Sequence, residues 1–328
     1  MWIVNITKKM AHLSFFSFLC GMIVNTAFVG IASLPNSAFA AEFNSLLNKN
    51  KYITLTYRNK GNMIQKRIFK QQNRYVLNPR ATKKLTLTTL DWPPYISEKL
   101  CDRGWVFQYT LAVIDSLGWG ASVEFLPWSR AVRLAESGKV DILFPEYFIE
   151  DTAPSDIFTD AKRLDRLALS LPFPGGNVSF LKRTTGSQTF TGDLKTLKGN
   201  WIGVVRGYQN TPEFDSLMDT GFFNIVLAND ELQSAQQLAA KRVDLIVGDA
   251  KVFDFILKNS TEPANRSLHS QIKVMTPPLQ YNPLYFAVSK KRENWEKNLA
   301  SINQAIDQLA NTGEALRISK RPTRVCTK

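Results

Sequence analysis

The chain has 328 residues, enough for one or two domains with a full core, and its 44% hydrophobic and 21% charged residues are ordinary for a globular protein. Its formal charge of +13 is concentrated at the front: residues 1–40 carry +2 from Lys8 and Lys9, and residues 41–84 carry +10 from eleven Lys or Arg against Glu42 alone. Residues 85–328 therefore carry only +1, so the basic pI does not argue for a nucleic-acid-binding domain and no nucleic acid is expected as a partner.

Lys8 and Lys9 precede a long apolar stretch, Leu13–Leu34, and Ala38-Phe39-Ala40 has the small-x-small form of a cleavage site before Ala41. Residues 1–40 are read as an export signal. The rival reading is an uncleaved anchor, because the stretch is nearly long enough to span, but Gly21, Asn25 and Gly30 interrupt it. Cys20 follows Ser-Phe-Leu, a poor lipoprotein site. The mature chain is expected to be a monomer in the periplasm, without stable membrane insertion. Residues 41–84 read as a basic, polar, flexible leader; the alternative is a hairpin of Tyr52–Tyr57 and Met63–Phe69 about Asn59-Lys60-Gly61-Asn62.

From Leu85 the pattern alternates between strand and helix. Leu85–Leu90 is a short strand that runs into Asp91-Trp92-Pro93-Pro94-Tyr95, where two prolines forbid its continuation. Val106–Leu117 has helical spacing and stops at Gly118; Ser122–Leu126 is a strand, Ser129–Glu136 a helix, and Val140–Phe144 a strand. This β-α-β-α-β order implies a parallel sheet with right-handed crossovers. Leu167–Ser170 and Val178–Lys182 flank Leu171-Pro172-Phe173-Pro174-Gly175-Gly176, a stretch expected to leave any regular ladder and to cross between lobes.

A second such pattern follows: strand Trp201–Val205, helix Thr211–Met218, strand Phe223–Leu227, helix Asp230–Lys241, strand Val243–Val247, helix Ala250–Lys258 and strand Ile272–Met275. Pro277-Pro278 begins a return crossing, strand Leu284–Val288 goes back to the first lobe, and helix Asn294–Asn311 closes it. The expected architecture is an α/β protein of two lobes, the second inserted in the first, with residues 85–174 and 279–328 in lobe 1 and 175–278 in lobe 2. Lys139–Glu146 and Lys241–Asp249 rhyme, each an apolar strand that ends in an acid, at the sheet edge where open α/β sheets hold ligands.

Histidine is nearly absent. His12 lies in the signal and His269 stands alone, which removes Ser-His-Asp and Cys-His catalysis and most zinc sites. There is no Cys-x-x-Cys, no Gly-x-Gly-x-x-Gly and no phosphate loop. These absences favour binding over reaction, with no cofactor, although catalysis by carboxylates alone stays open. Cys101 and Cys326 are an even pair in an oxidising compartment, which admits either a disulfide or two thiols.

Asp91–Tyr95, Pro127-Trp128-Ser129-Arg130-Ala131, Gly138–Asp141, Leu167–Phe173, Phe180–Arg183, Ile202–Tyr208 and Val243–Asp249, in that order and spacing, resemble the family 3 amino-acid-type solute-binding components of ABC importers, of the type II periplasmic fold. The resemblance runs from Leu85 to about Ser319. It implies a cleft between the lobes that closes on a small polar or zwitterionic solute, with an importer as membrane partner. It places Trp92, Tyr95 and Trp128 against the solute side chain, Asp249 on its ammonium, and the backbone N–H groups about Gly207 and Tyr208 on an anionic group. The arginine that clamps a carboxylate corresponds to Arg163, with Arg166 as the alternative. Some dehydratases of prephenate or arogenate share the fold, which makes an enzyme the second reading, with Glu146 as its acid; a stand-alone sensor or accessory protein is the third.

Overall fold

A computed structural model describes residues 52–155 and 157–326. The export signal read over residues 1–40 lies outside the described residues, as do residues 41–51. Among the described residues no helix is long and apolar enough to cross a membrane.

The basic segment is not a flexible leader over its described part. It forms β1 (Tyr52–Asn59), β2 (Asn62–Gln71) and β3 (Arg74–Leu77), a meander that continues the first lobe's sheet. Asn59 pairs Asn62 across a two-residue turn in which Lys60 and Gly61 both have positive φ, 49° and 82°, the geometry that matches strand twist. Leu55, Tyr57, Ile68, Tyr75 and Leu77 point inward and are buried in the main core. Three of its basic side chains, still partly exposed, pair with acids elsewhere in the chain: Lys66 lies 3.5 Å from Asp115, Lys70 3.0 Å from Glu98, and Arg74 3.2 Å from Glu124. Tyr57 donates to Asp115 at 2.8 Å, so the segment is bonded to lobe 1 as well as packed on it.

The rest of lobe 1 follows the alternating pattern. β4 (Lys84–Thr89), α1 (Trp105–Ser116), β5 (Gly120–Phe125), α2 (Trp128–Glu136) and β6 (Ile142–Glu146) place β4 parallel to both β5 and β6, while β3 runs antiparallel to β5. β7 (Leu167–Leu169) leads to β8 (Phe173–Arg183), the first long strand between lobes. Lobe 2 contains β9 (Trp201–Val205), α3 (Pro212–Asp219), β10 (Asn224–Ala228), α4 (Glu231–Ala239), β11 (Leu245–Asp249), α5 (Ala250–Lys258), α6 (Pro263–Gln271) and β12 (Ile272–Val274). β13 (Gln280–Ser289) returns to lobe 1, and α7 (Trp295–Asn311) and α8 (Glu314–Ser319) pack there.

Strand order is β1-β2-β3-β5-β4-β6-β13-β8-β11-β9-β10, with β7 on β13 and β12 on β8. β13 holds β6 and β7 with its last residues and β8 with its first, so β8 and β13 together form the double connection of the lobes. Pro174-Gly175-Gly176 was expected to break the ladder; it lies inside β8 instead. The ladder accommodates it by shifting register between Asn282 and Leu284, around Pro283, which has no N–H to donate. A Cβ on Gly175 would sit 1.9 Å from the Asn282 carbonyl oxygen, so the close approach of the two crossing strands requires glycine there.

Candidate functional site: the interlobe cleft

Asp249 ends β11 and caps α5. Its Oδ1 accepts from the backbone N–H of Lys251 at 2.8 Å and of Val252 at 3.3 Å, which fixes the carboxylate at a sheet edge. Its Oδ2 accepts from the Tyr95 hydroxyl at 2.7 Å, across the cleft from lobe 1. Trp92, three residues before Tyr95, stacks on it with ring centroids 4.5 Å apart and an interplanar angle of 20°. The Trp92 indole N–H donates to Glu231 Oε1 at 2.8 Å, and the Tyr208 hydroxyl donates to the same oxygen at 2.9 Å. Glu231 is the first residue of α4, directly after the Asp230 cap. One stacked pair on lobe 1 thus contacts two carboxylates on lobe 2.

Trp128 opens α2 and its indole N–H donates to the Gly207 carbonyl at 3.0 Å. Arg163 Nη1 donates to the same carbonyl at 3.3 Å, while Arg163 Nε lies 3.3 Å from Glu136 Oε1. The Asn282 side chain on β13 donates to the Asn210 carbonyl. These contacts hold the lobes closed. The space left between Trp92, Trp128, Glu146 and Tyr147 of lobe 1 and Tyr208 and Gln209 of lobe 2 is about 20 Å3, by the measure in which one water needs about 10–15 Å3.

No family model matches the sequence, and no curated protein does. Solved structures do match. A histidine kinase sensor domain with similarity to periplasmic binding proteins superposes with a TM-score of 0.57 at 18% identity, over 73% of this chain and 95% of that one. An ancestral arginine-binding protein bound to arginine gives 0.56 at 18%, over 73% and 97%. An arginine transport-system periplasmic binding protein from Legionella pneumophila gives 0.56 at 15%, over 72% and 98%. The chain has the two-lobe periplasmic-binding-protein fold.

Within this binding-protein fold, the residues singled out from sequence are distributed unevenly. Trp92, Tyr95, Trp128, Tyr208 and Asp249 converge on the cleft, with Glu146 at the end of β6 on its wall. Gly207 and Tyr208 differ from the sequence expectation. Gly207 turns its carbonyl to lobe 1, where it accepts from Trp128 and Arg163, and the Tyr208 N–H is used by the Val205 carbonyl at 3.1 Å. The reason is local: α3 starts only at Pro212, capped by Thr211, so positions 207–208 form a turn rather than a helix N-terminus. Arg163 is 2% exposed and directed at a carboxylate of the protein, Glu136, in addition to Gly207. Arg166 turns over the Phe158 ring at 4.1 Å and bonds the Glu136 carbonyl. Cys101 and Cys326 are joined as a disulfide.

Two residues of the cleft went unnoticed in the sequence. Glu231 follows a strand end and an N-cap, a pattern shared by many surface helices, and only its burial marks it. Tyr147 follows Glu146 on β6; it is 8% exposed, packs edge-on against Trp92 at 5.8 Å, and its hydroxyl has no hydrogen-bond partner among the described residues.

Burial dominates the electrostatics of the interlobe cleft. It pushes the Glu231 carboxyl up to about 7, against the donors Tyr208 and Trp92, which favour the ionised form. Burial also raises Asp249, opposed by Tyr95 and by the N–H groups of Lys251 and Val252. Tyr147 and Tyr208 are pushed well above the ordinary phenol range, first by burial and then by neighbouring carboxylates. Gly176 on β8 leaves the space that the Tyr95–Asp249 pair occupies: a Cβ there would lie 2.0 Å from the Tyr95 hydroxyl and 2.1 Å from Asp249 Oδ2. Gly176→Ala is therefore expected to lower the unfolding free energy by about 1–3 kcal/mol, as overpacking does. Urea denaturation with an unchanged midpoint would show that the pair relocates without strain.

Proposed function

We propose that this protein captures a small polar or zwitterionic solute bearing an ammonium, an amino acid or a derivative, between its lobes outside the cytoplasm and delivers it to a membrane importer. The reading rests on one observation above the others. Asp249, 3% exposed at a strand end, is held toward the opposite lobe by two helix N–H groups, and its cross-cleft partner is a neutral hydroxyl. Hinge opening removes that hydroxyl, and a solute ammonium takes its place with a charge-assisted bond. Trp92, Tyr95 and Trp128 supply faces for the rest of the solute. The export-like start of the chain and the binding-protein fold support the same reading.

The test is Asp249→Asn, which keeps the caps on α5 and removes the charge. Affinity for an ammonium-bearing solute found by thermal-shift screening is expected to fall about 10²-fold, in line with about 1.5–3 kcal/mol for a charged hydrogen bond. Calorimetry that returns the wild-type constant would remove Asp249 from the site. Burial favours a second reading, a carboxylate-dependent elimination: it pushes the Glu231 carboxyl up to about 7, the range of a general acid at neutral pH. Turnover of prephenate or arogenate by the purified protein would displace the binding reading.

A further inference from the structure

Resting on that proposal, the cleft also speaks to the charge of its solute. Asp249 and Glu231 both belong to lobe 2, and neither has a Lys, Arg or His within ion-pair distance among the described residues. Lys251 acts on Asp249 electrostatically without reaching ion-pair distance, and Arg163 is engaged by Glu136 and by the Gly207 carbonyl. His269 lies on α6 in an exposed pair with Asp254. What each cleft carboxylate receives from lobe 1 is one neutral donor, the Tyr95 O–H or the Trp92 N–H, and these two rings form a single stack on one short loop.

A hinge motion that carries lobe 1 away removes both donors together. Asp249 keeps the N–H groups of α5 and Glu231 keeps Tyr208, but each loses the partner that faced the cleft. When the lobes close again on a solute, each carboxylate is buried and needs a replacement for the lost donor, because a buried carboxylate without one is costly. A third group points the same way. Tyr147 lines the space beside Trp92, is more than nine-tenths buried, has a hydroxyl without a partner among the described residues, and lies within electrostatic reach of Asp249, Glu231 and Glu146. Its hydroxyl can accept from a charged nitrogen, and the carboxylates and aromatic faces around it favour a cation over an anion.

We infer that the solute carries two positively charged nitrogen groups, one met by Asp249 and the other by Glu231. Two sources supply that chemistry, a diamine and a basic amino acid, and they differ in whether a carboxylate accompanies the charges.

Calorimetry on the purified protein at pH 8 tests this with four probes: 1,4-diaminobutane and its one-charge counterpart 1-aminobutane, and L-arginine and its uncharged-side-chain counterpart L-citrulline. At least one dication is expected to bind about tenfold or more tighter than its counterpart, the size of a charged contact of about 1.4 kcal/mol. Glu231→Gln, which still accepts from Trp92 and Tyr208, is expected to abolish that preference. Tighter binding of 1,4-diaminobutane identifies the diamine, and of L-arginine the basic amino acid.

A second readout is pH. Glu231 faces Trp92 and Tyr208, with Tyr147, Asp230 and Asp249 nearby, so the dication preference should be full above about 7 and shrink as Glu231 protonates below it. L-citrulline bound as tightly as L-arginine, and 1-aminobutane as tightly as 1,4-diaminobutane, would overturn the inference and leave solute capture standing. A preference that survives Glu231→Gln would also overturn it. No heat from any of the four, with stabilisation by other amino acids, overturns the dication alone; no stabilisation by any solute overturns both.

Discussion

Arg163→Ala is expected to lower the unfolding free energy by about 3–5 kcal/mol, because it leaves the Glu136 carboxylate buried without its guanidinium. Both side chains are almost wholly enclosed, at 2% and 0% exposure, and Nε lies 3.3 Å from Oε1. Arg163 begins a short 3-10 turn whose backbone N–H is tied to Ala153, while Glu136 ends α2 and accepts from the Ser155 hydroxyl. The pair therefore fastens the loop after β6 to the helix that carries Trp128. The reading of Arg163 as a clamp on a solute carboxylate makes a different prediction: near-normal stability, with lost affinity for amino acids and retained affinity for simple amines. Urea unfolding separates the two, since a shifted midpoint at constant slope reports stability. Adding Glu136→Gln should return part of the loss, because the stranded charge then disappears. A wild-type midpoint for Arg163→Ala would show that the pair contributes nothing to the fold.

Removal of the Cys101–Cys326 disulfide is expected to cost about 2–5 kcal/mol. The bond closes a loop across a sequence separation of 225 residues, and the loss of chain entropy in the unfolded state grows with the logarithm of that length. The native partners are already in register: the Cys101 N–H donates to Arg324 at 2.9 Å, the Cys326 N–H donates to Lys99 at 3.1 Å, and Leu100 bridges Val325. The bridge holds the chain end to the loop that follows the Trp92–Tyr95 stack, so its loss should also loosen the cleft wall and lower solute affinity. The paired Cys101→Ser and Cys326→Ser variant, measured against the oxidised protein by denaturant unfolding, checks the first effect. Coincident curves with and without reductant would show that the bridge adds no stability.

The alternation of strand and helix was legible because it is a local property. The apolar run Leu245–Val247 closed by Gly248-Asp249, the prolines after β4, and the spacing along α1 and α7 each state their structure within ten or so residues. Chain order with short connections then leaves few topologies, so the two-lobe arrangement followed. Asp249 was legible too, since a strand end before a helix is defined by neighbours in sequence. Composition misled over residues 52–77. Nine basic residues without an acid between 52 and 84 do face solvent for the most part, but Leu55, Tyr57, Ile68, Tyr75 and Leu77 between them are buried in the main core.

Side-chain partners across the cleft obey no such local rule. Trp92 meets Glu231 over a separation of 139 residues, and Tyr95 meets Asp249 over 154. Glu231 looks like any first-turn acid of a surface helix until the lobes close over it, and nothing near Arg163 in the sequence announces Glu136 as its neighbour. Periodicity records which face of an element is buried; it carries no record of which distant face covers it. That is why architecture and one strand-end carboxylate could be read residue by residue, while the second carboxylate, the fate of the arginine and the anchoring of the basic strands depended on how the whole chain came together in space.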